Sequence, residues 1–94
     1  MKNDRTLPGV LTLDRLPPGA GATVVSVAGR EKWRLRLLDL GLTPGTVVRV
    51  VRTAPSGDPI GIRLRGYGMT LRREDARRIT VTDAVRADGK PLER

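Results

Sequence analysis

Histidine and cysteine are both absent from this chain of 94 residues. Without them no Ser-His, Cys-His or His-carboxylate arrangement can form, which excludes nucleophilic and imidazole-based catalysis on this chain alone. The adjacent carboxylates Glu74 and Asp75 point apart on a helical turn and are best explained as surface charge. Disulfides are also excluded, so packing and hydrogen bonds must hold the fold together. We therefore expect a protein that is not an enzyme and that uses no cofactor.

Long apolar runs are missing as well. No segment approaches the ~20 apolar residues that a membrane-spanning helix needs, and the first residues, MKNDRTLPG, lack the apolar stretch of a signal peptide. The lack of cysteine agrees with a reducing compartment. The sequence thus predicts a cytoplasmic protein that does not span a membrane.

Aromatic residues are scarce, whereas positive charge is abundant. The chain has one Trp, one Tyr and no Phe, and its formal net charge is +8. Clustered cations favour nucleic acid through counterion release, but sequence-tolerant single-strand binders also need aromatic platforms for stacking. A codon bias toward arginine would give the same charge without an anionic partner. We therefore rank nucleic acid below a protein partner; anionic phospholipid headgroups would suit the charge equally well, and a weak homo-oligomer is left open.

The stretch RLLDLGLTPGTVVRVV, residues 36–51, encodes a helix, its end, a turn and a strand in succession. Gly41 stands where a helix end needs a residue at positive φ, and Leu42 stands where the hydrophobic contact of a Schellman-type cap falls. Pro44 and Gly45 suit the two central positions of a type II turn. We expect the helix that begins at Glu31 to end near residue 40, and a strand to begin at residue 46.

The remaining segments favour short strands. The predicted elements are a short helix or turn at 11–16, strands at 22–28, 46–52, 60–64, 69–71 and 79–81, a turn-rich loop at 53–59, a hairpin corner at 66–68 and a helical turn at 73–78. This order predicts a mainly β fold with short helices, a small and partly open SH3-like barrel of about five strands with an inserted helix. Residues 1–10 are expected to form a flexible leader, residues 11–82 the domain and residues 83–94 a flexible tail.

The predicted helix carries two apolar stripes. Helical periodicity places Trp33, Leu37 and Leu40 on one stripe, and Leu35, Leu38 and Leu42 nearly opposite. The favoured interpretation is a helix sandwiched between the barrel and the N-terminal segment. In the alternative interpretation, one stripe stays open as a docking ridge for another protein.

Three motifs in order, LLDLGLTPGTVVRV, APSGDPI and LRREDARRITV, resemble the ferrous iron transport protein A family, FeoA. The resemblance covers about residues 11–81 and implies a small cytoplasmic SH3-like domain. It implies an accessory or regulatory protein of ferrous iron uptake that acts by protein–protein interaction with the cytoplasmic side of the FeoB membrane transporter. Control of a partner GTPase by an arginine supplied in trans is a further hypothesis.

The expected partner-binding residues lie on the helix, at its exit and in the loop that follows the next strand. They are Trp33, Leu35, Leu38, Leu42, Thr43, Pro44, Gly45, Pro55, Ser56, Gly57, Asp58 and Pro59. The glycines and prolines among them are expected to serve shape more than contact.

Metal binding and two rival functions complete the expectations. The family is associated with transition metal ion binding, but ferrous sites usually combine imidazole with carboxylate, and this chain offers carboxylates alone. We predict no metal ligands and leave a weak carboxylate site open. The barrel also looks like the C-terminal domain of metal-dependent repressors, although no DNA-reading helix pair is present beside it. The second rival is an SH3-like module that binds nucleic acid.

Overall fold

The computed structural model describes residues 10–92, which form one antiparallel sheet with two short helices. The strands are β1 (Leu11–Thr12), β2 (Gly21–Val27), β3 (Val47–Thr53), β4 (Ile60–Leu64), β5 (Tyr67–Leu71) and β6 (Ile79–Val85); the helices are α1 (Glu31–Asp39) and α2 (Arg73–Ala76), with a 3₁₀ turn at Leu13–Arg15. The strand order is β1-β6-β2-β3-β4-β5. No helix within residues 10–92 is long and apolar enough to cross a membrane.

The core is built from aliphatic side chains on the inner face of this sheet. In β4, Ile60, Ile62 and Leu64 are buried while Arg63 points outward, as the period of two predicts. Val48 and Val50 of β3 are fully buried beside them. Their registers pair Val48 with Leu64 and Val50 with Ile62, which brings the buried residues of the two strands together.

The exit of α1 has the predicted geometry. Gly41 lies at φ +105°, its N–H donates to the Leu38 carbonyl at 2.9 Å, and the Leu42 N–H donates to the Leu37 carbonyl at 3.2 Å. These two bonds are those of a Schellman cap. The turn that follows is closed by the Thr46 N–H and the Thr43 carbonyl at 3.0 Å. The predicted helix end, turn and strand start are therefore confirmed to within one residue.

The β4–β5 hairpin is tighter than predicted. Arg65 (φ 50°) and Gly66 (φ 86°) form a two-residue loop, and Leu64 pairs directly with Tyr67. Two successive residues at positive φ suit the twist of a hairpin. The prediction of a corner at residues 66–68 is wrong because Tyr67 and Gly68 are already strand residues.

Both ends of the domain contain more strand than predicted. The segment expected as a helix or turn starts as β1, which pairs Leu11 with Val81 and makes the sheet six-stranded, and continues as the 3₁₀ turn. β6 runs to Val85, four residues beyond the predicted end and across the predicted boundary at residue 82. Residues 86–91 then turn back, so that the Leu92 N–H donates to the Ala84 carbonyl at 2.9 Å. Residues 83–85 thus belong to β6, and residues 86–92 fold back onto its end through one bridge between Val85 and Pro91. Residues 1–9, most of the predicted leader, and residues 93–94 lie outside the described residues.

Candidate partner-binding groove

A groove of about 1050 Å³ lies between α1, α2 and the loop of residues 54–59, which we call the groove loop. Its floor is apolar, formed in part by Leu37 and Leu71, which are buried in the core. Trp33, on the α1 side, is 41% exposed. The other lining residues are Arg36, Leu40, Ser56, Asp58, Pro59, Thr70, Arg72, Glu74, Asp75 and Arg78. Most of the lining residues are polar or charged, so the groove is more polar than a typical small-molecule cleft, whose lining is mainly apolar.

The groove loop is held in place by α2. Asp58 accepts the Arg73 backbone N–H at 3.1 Å, and the Arg73 guanidinium donates to the Gly57 carbonyl at 3.1 Å and to the Asp14 carbonyl at 3.4 Å. Within the loop, the Ser56 hydroxyl donates to the Asp58 carbonyl at 3.0 Å. The peptide bond between Asp58 and Pro59 is cis. The hydrogen bonds from Arg73 and Ser56 hold the groove loop in position as one wall of the groove without a bound partner.

The opposite wall, α1, is anchored at its exit by the β4–β5 hairpin. The Tyr67 hydroxyl donates to the Leu40 carbonyl, the last residue before the Gly41 cap. The Arg65 guanidinium donates to the Thr43 and Thr46 hydroxyls at 3.1 and 3.0 Å. A Cβ built on Gly41 would lie 3.1 Å from both Leu64 Cδ1 and Tyr67 Oη, so a side chain has little room there. The helix and its exit turn are therefore pinned to the barrel at the C-terminal end.

Formal charges in the groove are balanced. Three arginines and three carboxylates line it, and Arg78 lies 3.5 Å from Asp75. The surface therefore suits a polypeptide of mixed charge better than a polyanion. Within residues 10–92 no three acidic residues gather as a group that could hold a metal ion.

The structure divides the predicted partner-binding residues into three groups. Trp33, Ser56, Asp58 and Pro59 line the groove together. The second group is exposed but lies outside the groove lining: Leu35, Pro44, Gly45 and Pro55. The third group is half-buried or buried: Leu38 packs against the core, Thr43 and Gly57 are half-buried, and Leu42 has no exposed surface.

Leu42 is the clear correction. It is a core residue and cannot contact a partner, because the helix ends at Asp39 and the backbone turns at Gly41. The helical period therefore does not extend to residue 42, and Leu42 points inward. Within the described residues, Trp33 and Leu35 are 41% and 44% exposed while Leu37 is buried. Residues 1–9 of the N-terminal segment, which the predicted sandwich would place against α1, lie outside the described residues.

Sequence reasoning missed the contribution of α2. Arg72, Glu74, Asp75 and Arg78 line the groove, although the sequence suggested no more than solvated surface charge there. Their role depends on the fold bringing residues 72–78 beside α1, which lies more than thirty residues earlier. The local signal in the sequence is the predicted helical turn at residues 73–78. In the structure, the Arg73 backbone N–H at the start of α2 donates to Asp58.

Comparison with known proteins identifies the family. The family model described as the FeoA domain matches residues 11–83, most of the chain. The chain belongs to the FeoA domain family. A curated relative, the Fe(2+) transport protein A/Fe(2+) transporter FeoB fusion protein of Porphyromonas gingivalis, is 41% identical over 71 residues, which are 76% of this chain and 8% of the relative. The chain therefore spans under a tenth of that protein's length.

Solved structures place this FeoA domain in the SH3-like class. The FeoA of Stenotrophomonas maltophilia, a prokaryotic SH3 domain protein solved in complex with zinc, superposes with a TM-score of 0.72 at 30% identity, covering 82% of this chain and 98% of that one. The predicted fold class is thereby confirmed. A manganese-dependent transcriptional repressor shares the fold alone, with a TM-score of 0.73, 18% identity and coverage of 82% of this chain and 42% of that chain.

Proposed function

We propose that this FeoA-domain protein is a cytoplasmic accessory protein of ferrous iron transport, and that its groove binds a segment on the cytoplasmic side of an FeoB-type transporter. The observation that carries the proposal is the groove itself, in which an exposed tryptophan faces a preorganised loop across an apolar floor. Tryptophan in such a setting is the residue type that most often dominates a protein interface.

The size and charge of the groove define the kind of ligand. A volume of about 1050 Å³ is at the upper end of the range for clefts that take compact ligands. It can accept a loop or one or two turns of a helix, but not a whole domain. The balanced walls favour a segment that carries both charge signs around an apolar centre. The proposed role is recognition and not catalysis, since the chain has no histidine or cysteine.

The fusion relative supports the pairing of this domain type with a transporter. When two modules share a polypeptide, the tether gives an effective concentration of about millimolar, so that even a weak groove contact is occupied. The relative joins FeoA and FeoB parts in one chain. We take this as the reason to test FeoB first.

The test compares two variants on the same helix. Trp33 lines the groove and Leu35 does not, yet the two side chains are almost equally exposed, at 41% and 44%. Binding to a purified FeoB cytoplasmic domain is measured by calorimetry for the unchanged chain, Trp33→Ala and Leu35→Ala. The groove proposal predicts a loss of about thirtyfold or more for Trp33→Ala, as for an interface hot spot, and little change for Leu35→Ala.

Other outcomes contradict the proposal in distinguishable ways. Loss confined to Leu35→Ala would move the contact to the outer side of α1. No binding by the unchanged chain would reject the FeoB cytoplasmic domain as the partner. Unfolding curves for both variants, taken in the same buffer, verify that the compared proteins are folded.

A further inference from the structure

The outward side of β3 and β4 carries three exposed arginines, Arg49, Arg52 and Arg63, which we call the basic face. β3, β4 and β5 contain no acidic residue. In the described part of the chain, the ion pairs engage Arg77, Arg78 and Arg86, all on other elements. No acidic side chain on β3, β4 or β5 neutralises the positive charge of the basic face, whereas arginines and carboxylates balance in the groove.

Each arginine of the basic face stands opposite a glycine of the neighbouring strand. The register pairs Arg49 with Gly21 of β2, Arg52 with Gly61 of β4, and Arg63 with Gly68 of β5. A Cβ built on Gly61 would lie 3.2 Å from Arg52 Cγ, and one on Gly21 would lie 3.7 Å from Arg49 Cζ. The arginine side chains thus lie over the space that the glycines leave empty.

Backbone conformation does not require these three glycines. Gly21, Gly61 and Gly68 are not among the residues at positive φ, and glycine inside a strand weakens it because it has no side chain to pack. Their common feature is the arginine above them. The glycines leave room for the arginine side chains to pack close to the backbone of the neighbouring strand.

Two of the arginines also face each other. Arg49 and Arg63 are direct cross-strand partners, a placement in which like charges destabilise a sheet. The guanidinium groups separate: Arg49 donates to the Gly19 carbonyl at 2.7 Å, and Arg63 donates to the Gly66 carbonyl at 3.4 Å. A surface of anions laid across β3 and β4 would remove the repulsion that this pairing creates.

The surrounding residues indicate what kind of anion surface fits. Val47 and Val51, also on the outward side of β3, are 64% and 45% exposed. Apolar side chains between cations suit the boundary of headgroups and acyl chains in a bilayer. Trp33 lies on α1, and Tyr67 of β5 pairs with the buried Leu64 and directs its hydroxyl to the Leu40 carbonyl. Within the described strands, the basic face therefore has no aromatic side chain for the base stacking that single-stranded nucleic acid needs.

We propose that the basic face binds the surface of an anionic phospholipid bilayer, so that the chain is a peripheral membrane protein. The phosphates contact Arg49, Arg52 and Arg63, while Val47 and Val51 approach the acyl boundary. The groove lies between α1, α2 and the groove loop, on elements other than β3 and β4. Bilayer binding therefore leaves the groove lining uncovered, and it needs no transporter.

The test is co-sedimentation with vesicles of phosphatidylcholine alone and of phosphatidylcholine mixed with an equal part of phosphatidylglycerol. The unchanged chain is expected to bind the mixed vesicles and not the neutral ones, and less tightly as salt is added. Replacing Arg49, Arg52 and Arg63 together by Gln should weaken binding roughly a hundredfold, at roughly fivefold for each cation near the surface. Replacing the same three by Lys should retain binding, which separates charge from any effect on folding.

A matched control removes three cations elsewhere. Arg15, Arg30 and Arg34 lie on the 3₁₀ turn and on or next to α1, and their replacement by Gln changes the net charge by the same amount. An equal loss with this control would overturn the proposal, because net charge and not the basic face would then determine binding. The proposal would also be overturned if the unchanged chain failed to sediment with the mixed vesicles, or if it bound duplex DNA and not the vesicles. Since the vesicles contain no transporter, these results are independent of the groove experiment.

Discussion

Gly41→Ala should cost more stability than the same change at Gly45, although both glycines have a positive φ at the exit of α1. Gly41 lies at φ +105° and Gly45 at +92°, so an added Cβ strains either backbone. For Gly45, no described atom lies within 4 Å of the added carbon. The backbone strain is about 1–2 kcal/mol, and the loss of freedom in the unfolded chain offsets about 0.4–1 kcal/mol of it. We therefore expect a net cost of about 1 kcal/mol at Gly45.

At Gly41 a second cost is added. The new Cβ would lie 3.1 Å from Leu64 Cδ1 and from Tyr67 Oη, and that hydroxyl donates to the Leu40 carbonyl. Pushing the ring aside breaks a hydrogen bond that contributes about 1 kcal/mol. The total for Gly41→Ala is then about 2 kcal/mol. The difference between the variants corresponds to about 4–8 °C in Tm for a domain of this size.

Urea unfolding followed by circular dichroism measures both variants, with equal m values as the condition for comparing midpoints. A third chain, Tyr67→Phe, removes the hydroxyl, and in that background Gly41→Ala should lose the part of its cost that comes from the broken hydrogen bond, while the contact with Leu64 Cδ1 remains. Equal destabilisation of the two single variants in the unchanged background would refute the reasoning, because contact with the β4–β5 hairpin would then contribute nothing.

Three further predictions follow from burial, hydrogen bonding and charge. Leu42→Ala should destabilise by about 2–5 kcal/mol because the side chain is fully buried, whereas the exposed Leu35→Ala should stay within about 0.5 kcal/mol; a similar cost for both, in chemical denaturation, would contradict the assignment of Leu42 to the core. Arg73→Met should speed amide exchange in the groove loop, since the guanidinium hydrogen bond to the Gly57 carbonyl is lost; unchanged exchange rates would show that this bond does not stabilise the loop. The hydrogen bond from Arg86 holds the pKa of Asp88 below the ordinary aspartate value, so this carboxylate stays ionised to lower pH, and Arg86→Gln should raise its pKa in an NMR titration; a pKa that does not move would rule out this cause.

The parts of the fold that could be predicted from sequence are those controlled by neighbouring residues. Gly41 follows a leucine-rich helix, and Pro44 and Gly45 fill a turn, so that cap and turn chemistry act within a few bonds of the residues that encode them. The end of β6 could not be predicted in this way. Thr82, Asp83 and Ala84 are polar or small and give no strand pattern, and Val85 is part of the sheet through its pairing with Gly21 of β2.

The sequence predicts some of the groove-lining residues from local properties. Trp33 belongs to an apolar stripe of the predicted helix and the groove loop is a run of turn formers, and both line the groove. Leu42 was misplaced because the helical period was continued past the residue that ends the helix. The groove also contains residues on and beside α2, namely Arg72, Glu74, Asp75 and Arg78. Their position in the groove depends on which elements lie side by side in the fold, and no local sequence pattern indicates this.

The central claim is that a transporter segment enters the groove beside Trp33. Since this is the single tryptophan of the chain, a fluorotryptophan label gives one fluorine NMR resonance that reports on the groove wall. As the FeoB cytoplasmic domain is added, this resonance is predicted to shift until binding is saturated. The dissociation constant fitted to the shift should equal the one that calorimetry gives for the same pair. A resonance that stays in place while calorimetry detects binding would contradict the account, because the partner would then bind the chain elsewhere.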